Sequence, residues 1–156
     1  MSGIQHPRKS SVSLVIPIYN EADGIATTLK EIAHTLKAIT IDKEIVVVDD
    51  GSSDGTWVQL QKLHPLEVKI KLIRLSRNFG KEPAIMAGID HCSGDAVIIL
   101  DGDLQHPPEL LVEMIKTWRS EDVDIIDGIK QERRSEPPLN QITSSLNHRL
   151  FRSITG

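Results

Sequence analysis

Short apolar runs rich in β-branched residues recur along the chain, and between them the apolar spacing switches to that of a helix. Val12 to Ile18, Glu44 to Val48, Val68 to Leu75, Ala96 to Leu100 and Val123 to Ile129 read as strands. After the first, Ile25, Leu29, Ile32, Leu36 and Ile39 recur at intervals of four and three, one face of a helix. A short helix is predicted from Thr56 to Leu63, capped by Asp54 or Ser53. Another starts near Pro83 and runs to about His91. Pro107-Pro108-Glu109 opens a further one, with Leu110, Leu111, Met114, Ile115 and Trp118 as its apolar stripe. Strand–helix alternation with short joins predicts an α/β fold: a mostly parallel sheet with helices on both faces. Val68 to Leu75 alternates Lys with apolar residues and belongs at an edge. Ala96 to Leu100 is continuously apolar and is expected to be buried on both faces.

Such sheets bind ligands outside the carboxyl ends of their strands, so the loops there carry the functional information. They read Pro17-Ile18-Tyr19-Asn20-Glu21, then Asp49-Asp50-Gly51-Ser52-Ser53-Asp54-Gly55-Thr56, then Arg74-Leu75-Ser76-Arg77-Asn78-Phe79-Gly80-Lys81. After the fourth strand comes Asp101-Gly102-Asp103-Leu104-Gln105, and after the fifth Gly128-Ile129-Lys130, with Arg133 and Arg134 beyond. Asp101 and Asp103 stand at i and i+2, so in extended backbone both carboxylates point the same way. Together they suit one hard cation, Mg2+ or Mn2+. Arg74, Arg77 and Lys81 suit a diphosphate or, equally, form a solvated basic face. Tyr19-Asn20-Glu21 serves a ligand or caps the first helix, and Asp49-Asp50-Gly51 a site or a turn.

Composition narrows the classes. Aromatic residues make up only 3% of the 156 residues, too few for stacking-based nucleic-acid binding. The net charge of −4 divides into +3 for Lys130 to Gly156 and −7 for the rest, which gives the tail an anionic partner. A single cysteine, Cys92, forms no intramolecular disulfide and fits a reducing compartment. No apolar stretch is long enough to cross a bilayer, and Met1 to Ser10 lacks the apolar core of a signal peptide. The expected location is cytoplasmic. Neither a dinucleotide-type nor a P-loop glycine pattern is present. An aspartate-pair phosphatase is excluded because Gln105 stands where those enzymes need Thr or Val, and because the pair follows the fourth strand, not the first.

In this order the loops resemble those of glycosyltransferase family 2, with the GT-A fold. Pro17-x-Tyr19-Asn20-Glu21, Val48-Asp49-Asp50-Gly51-Ser52-x-Asp54-Gly55-Thr56 and Asp101-x-Asp103 mark the wider family. Ser76-Arg77-Asn78-Phe79-Gly80-Lys81 and Asp103-Leu104-Gln105-His106-Pro107-Pro108 are similar to its polyprenyl-phosphate branch, the dolichyl-phosphate mannose synthases and undecaprenyl-phosphate glucosyltransferases. The resemblance covers about Ser11 to Lys130 and implies the following roles. Pro17, Tyr19, Glu21, Val48 and Asp50 line the nucleoside pocket, with Asp50 on the base or ribose. Asp101, Gly102 and Asp103 meet the donor diphosphate. Asp101, Asp103 and Gln105 are the metal ligands. Lys130 stands where relatives place Arg, keeping the charge and losing the bidentate fork. Arg133 and Arg134 face the diphosphate or the acceptor phosphate, and Asp103, Lys130 and Arg133 are the catalytic set.

The activity so implied is metal-dependent transfer of a hexose, with inversion, from a UDP- or GDP-sugar to a polyprenyl phosphate. Residues 1–10 then form a polar lead-in, 11–130 the nucleotide-sugar-binding domain and 131–156 a basic amphipathic tail. Relatives continue past the position of Gly156, so the chain reads as C-terminally short. The alternative is a truncated module that binds a nucleotide-sugar and transfers nothing. Leu139, Ile142, Leu146 and Leu150, flanked by Arg149 and Arg152, form a stripe for a membrane surface or for ordinary core packing. The first reading puts the protein on the cytoplasmic face of a membrane.

Overall fold

A computed structural model of the chain describes residues 10–63, 67–100 and 108–120. In chain order the elements are β1 (Ser11–Ile18), α1 (Ile25–Leu36), β2 (Asp42–Asp49), α2 (Thr56–Gln61), β3 (Lys69–Arg74), α3 (Lys81–Ile89), β4 (Ala96–Ile99) and α4 (Pro108–Ser120). The strands form one parallel sheet in the order β3-β2-β1-β4. This is the parallel α/β architecture expected from the alternation. The fifth expected strand, Val123 to Ile129, lies outside the described residues.

Strand period separates the two faces of the sheet. Val12, Leu14, Ile16 and Ile18 of β1 join Ile45 and Val47 of β2 in a core completed by α1, by Leu60 of α2 and by Leu111 and Ile115 of α4. The intervening Val15, Val46 and Val48 face the other way and pack with Ala84 of α3. Helix α3 lies so close to the sheet that a Cβ added at Gly88 would collide with Val15 Cγ1 and lie 3.1 Å from Val48 Cγ2. Helices on both faces follow from right-handed crossovers. The chain steps from β1 out to β3, then returns past β1 to β4, and the return puts its helix on the opposite face.

The boundaries differ from the sequence reading for local reasons. The apolar period of α1 continues to Ile39, which is buried, but the helix ends at Leu36. There the N–H groups of Lys37, Ala38 and Ile39 bond back three residues, to His34, Thr35 and Leu36, a tightened last turn. The N-cap of α2 is Gly55, at φ 97, while the Asp54 carboxylate one residue earlier accepts the Thr56 N–H at 2.9 Å. β3 is the edge strand expected. β4 departs from its expectation of burial on both faces: Val97 and Ile99 are 38% and 47% exposed. Being β-branched and apolar does not bury a strand. In the order found, β4 is the outer strand of the described sheet, and α3 packs over β1 and β2.

The amino-terminal edge is closed by carboxylates. Glu44, 4% exposed, accepts hydrogen bonds on Oε1 from Ser13 Oγ at 2.8 Å and from Ser93 N and Oγ at 2.7 and 2.8 Å. Lys71 Nζ stands 3.0 Å from its Oε2. Burial pushes the carboxyl up, but the bonds from Ser13, Lys71 and Ser93 outweigh it and hold it down at about 2. Asp95 Oδ2 accepts from both N and Oγ of Ser10 and Ser11, pinning the start of β1.

Candidate functional site

At the carboxyl edge the first three loops are tied into one body. Beyond β1, the Asn20 N–H donates to Ser52 Oγ at 2.9 Å, and Asn20 Oδ1 accepts the Ser53 N–H at 2.9 Å. The Glu21 N–H donates to Thr56 Oγ1 at 2.8 Å and the Ala22 N–H to Asp54 Oδ2 at 3.1 Å. The Thr56 hydroxyl in turn donates to Asp54 Oδ1 at 2.5 Å. That bond leads in holding the Asp54 carboxyl below its ordinary value. Short polar side chains just past a strand do this because they reach backbone N–H groups that the ladder no longer satisfies.

Asp49 and Asp50, adjacent in sequence, serve opposite sides. Asp49 is fully buried; its Oδ1 accepts the Ser52 N–H at 2.9 Å and its Oδ2 lies 3.4 Å from Arg74 Nε. Arg74 also donates to the Ser52 carbonyl at 3.3 Å and lies 5.6 Å from the centre of the Trp57 ring. Asp50, 4% exposed, accepts the Phe79 N–H on Oδ1 and the Gly80 N–H on Oδ2, each at 2.8 Å. The carboxylate thereby fixes the turn into α3. Directly after Asp50, Gly51, at φ 69, passes so near Arg77 that any Cβ would strike its backbone. Only glycine fits there. The Arg77 guanidinium lies 4.8 Å from the Phe79 ring centre.

Of the residues expected to line a nucleoside pocket, Tyr19 is 44% exposed and Glu21 half-buried, both on the loop after β1. Pro17 is buried and pairs with Val48 in the ladder. Val48 is fully buried under α3, packed with Val15, Val46 and Ala84. Strand parity decides this, since Val48 shares the face of Val46. Asp101, Gly102, Asp103, Gln105, Lys130, Arg133 and Arg134 lie outside the described residues, as does the whole expected tail, 131–156. Among the described residues no cluster of three His, Cys, Asp or Glu is arranged to hold a metal, and no helix is long and apolar enough to cross a membrane.

Sequence reasoning passed over the inter-loop ties. Local spacing signalled only the second loop's own bonds: Asp49-x-x-Ser52 and Asp54-x-Thr56 are spacings at which a carboxylate reaches a nearby backbone N–H. Arg74 was grouped with the cations available to a diphosphate, whereas here it is engaged by Asp49, Ser52 and Trp57.

β4 sits on the opposite side of β1 from β2. β1, β2 and β3 run outward on one side, and β4 lies on the other, so the strand order reverses between β1 and β4. The last ladder pair is Val15 with Ile99, and the Leu100 N–H donates to the Val15 carbonyl at 3.0 Å. The chain therefore leaves β4 at the carboxyl edge beside β1, and Asp101-Gly102-Asp103 follow in sequence. Residues 13–155 match the profile of glycosyl transferase family 2. The chain belongs to that family. An uncharacterized glycosyltransferase of Synechocystis is 40% identical over 144 residues, 92% of this chain and 45% of that protein. The bactoprenol glucosyl transferase of Shigella phage SfV is 34% identical, over 92% of this chain and 46% of its own length. This family 2 chain thus spans about half the length of the curated relatives it matches. Among solved structures, the mannosyltransferase of Pyrobaculum calidifontis in complex with GDP-mannose and Mn2+ superposes with a TM-score of 0.56 at 27% identity. The superposition covers 71% of this chain and 32% of that one.

Proposed function

We propose that this chain carries the donor-binding part of an inverting glycosyltransferase that moves a hexose from a UDP- or GDP-sugar to a polyprenyl phosphate. One observation carries the reading: the strand order reverses between β1 and β4, and the crevice at such a reversal is where open α/β sheets bind ligands. The Tyr19–Glu21 loop leaves one side of that crevice, and β4 ends on the other with Asp101 to Asp103 next in sequence. The Pyrobaculum structure, with GDP-mannose and Mn2+, and the bactoprenol relative support the donor and acceptor classes.

In this reading Tyr19 and Glu21, backed by Pro17, hold the nucleoside, and Asp50 keeps the neighbouring Phe79–Gly80 turn in place beside it. Lys130 and Arg133 stabilise the negative charge that grows on the diphosphate. Asp101, Asp103 and Gln105 offer only hard oxygen donors, which suit Mg2+ or Mn2+. Bound there, such a cation would neutralise charge on the departing diphosphate. An oxygen of the acceptor phosphate attacks the anomeric carbon from the face opposite the leaving group. The new C–O bond forms as the bond to the diphosphate breaks, and the nucleoside diphosphate departs with the electron pair. A phosphate monoester has its second pKa near 6, so the nucleophile is already anionic at neutral pH and needs no strong base. Alignment and charge stabilisation supply the rate. The basic segment 131–156 lies against the cytoplasmic face of a membrane, where the acceptor resides.

Calorimetry with UDP, GDP and their hexose conjugates, with Mg2+ or Mn2+, tests donor binding; no uptake of any of them overturns the reading. Transfer of labelled hexose to a short polyprenyl phosphate tests the reaction. Binding without transfer would identify a nucleotide-sugar-binding module instead.

A further inference from the structure

Asn20 is the one non-glycine residue with positive φ among the described residues, at 54°. That left-handed conformation is disfavoured for most side chains and tolerated by Asn. Here it is held from both ends, by the backbone N–H on Ser52 Oγ and by the side-chain Oδ1 on the Ser53 N–H, both at 2.9 Å. Its chain neighbours are Tyr19 and Glu21, and a left-handed residue between them sets the relative direction of the two. The flanking structure is secured without it. β1 is in register with β2 through Ile18, and the Asp50 N–H donates to the Ile18 carbonyl at 2.9 Å. On the other side, Glu21 is anchored by Thr56, and its carbonyl accepts the Ile25 N–H at 3.0 Å, starting α1. The ties of Asn20 to the second loop therefore govern the shape of the short stretch between Ile18 and Glu21 more than the fold around it.

We propose that Asn20 is a positioning residue for the nucleoside half of the donor. It acts by holding Tyr19 and Glu21 in one fixed arrangement against the second loop, without touching the substrate. The proposal rests on the nucleoside role given above to those two residues. It separates two functions of the crevice: the clasp sets nucleoside affinity, and the diphosphate is held by other residues.

The test compares the wild-type chain with N20D, N20G and N20A by calorimetry, using UDP and GDP with Mn2+ and, separately, inorganic diphosphate with Mn2+. Asp keeps both the acceptor oxygen and the tolerance of positive φ, so N20D should bind nucleotide within about threefold of wild type. Gly keeps the backbone freedom and lacks the acceptor. N20G should therefore bind nucleotide about five- to tenfold more weakly, the equivalent of one hydrogen bond. N20A loses both features and should be weaker still. Inorganic diphosphate should bind all four chains alike. Nucleotide affinity unchanged in N20G overturns the proposal, as does a loss shared equally by diphosphate, which would mark a general scaffold. Should N20A fail to fold, the contrast between N20G and N20D decides the matter. A wild-type chain that binds diphosphate and neither nucleotide sinks the nucleoside reading itself, and this proposal with it.

Discussion

Replacing Glu44 by Gln tests how the amino-terminal edge is held, far from the ligand crevice. In the folded chain the carboxyl is held down at about 2, against an ordinary value of 4.5. At about 1.36 kcal/mol for each pH unit between the two values, ionised Glu44 contributes about 3 kcal/mol at pH 7. The folded pKa is the lower one, so this contribution is present above pH 4.5 and is lost as the pH falls toward 2. At pH 3 only about 1 kcal/mol of it remains. Gln preserves the shape and can still accept from Ser13 and Ser93 through its oxygen. Its amide nitrogen then takes the place of Oε2 and faces the Lys71 ammonium, donor against donor. Urea unfolding of wild type and E44Q at pH 7 should differ by about 3 kcal/mol, and the gap should shrink by roughly 2 kcal/mol at pH 3. Nucleotide affinity should not change. A gap below about 1 kcal/mol at pH 7, or one of equal size at both pH values, would refute the account of a buried carboxylate stabilised in its charged form.

Three further outcomes are expected. Gly88→Val should lower stability by about 2–3 kcal/mol, because the added side chain meets Val15 and Val48 where α3 rests on the sheet; an unchanged melting temperature counts against that packing. Asp50→Asn should expose the Phe79 and Gly80 amides to hydrogen exchange at least about tenfold faster, since one of its two acceptors becomes a donor. Protection equal to wild type would show that the turn is held by something else. Asp103→Ala should weaken Mn2+-dependent nucleotide binding more than about tenfold and leave the melting temperature alone, as for a hard-cation ligand. Wild-type affinity in that variant would remove Asp103 from the metal set.

Much of the fold was legible because its signals are local. The β-branched runs and the α1 stripe each specify an element within a dozen residues, and β1, β2 and α1 fall within two or three residues of where the pattern puts them. The edge position of β3 was also legible, in Lys69 and Lys71 alternating with Ile70 and Leu72. The loops could be recognised as site-bearing because Asn, Asp, Gly and Ser gather at strand ends for reasons of backbone chemistry. What those residues hold could not be read. Asp49 and Asp50 are neighbours of one type, yet one serves Ser52 and Arg74 and the other the Phe79–Gly80 turn. Val48, which the resemblance puts at the nucleoside pocket, has its side chain fully buried under α3.

By itself, then, the sequence determined the element order, the amphipathic faces and which segments gather at the carboxyl edge, since these depend on residue spacing along the backbone. Only the tertiary structure decided that β4 returns to lie beside β1 and leaves Val97 and Ile99 exposed. It likewise decided that Glu44 sits inside a ring of donors, and that Asn20 adopts a left-handed turn clasped to Ser52 and Ser53. Each of these joins residues more than thirty positions apart. Which distant partner a carboxylate or an amide meets depends on strand order and helix packing, and those are settled by how whole elements share the core.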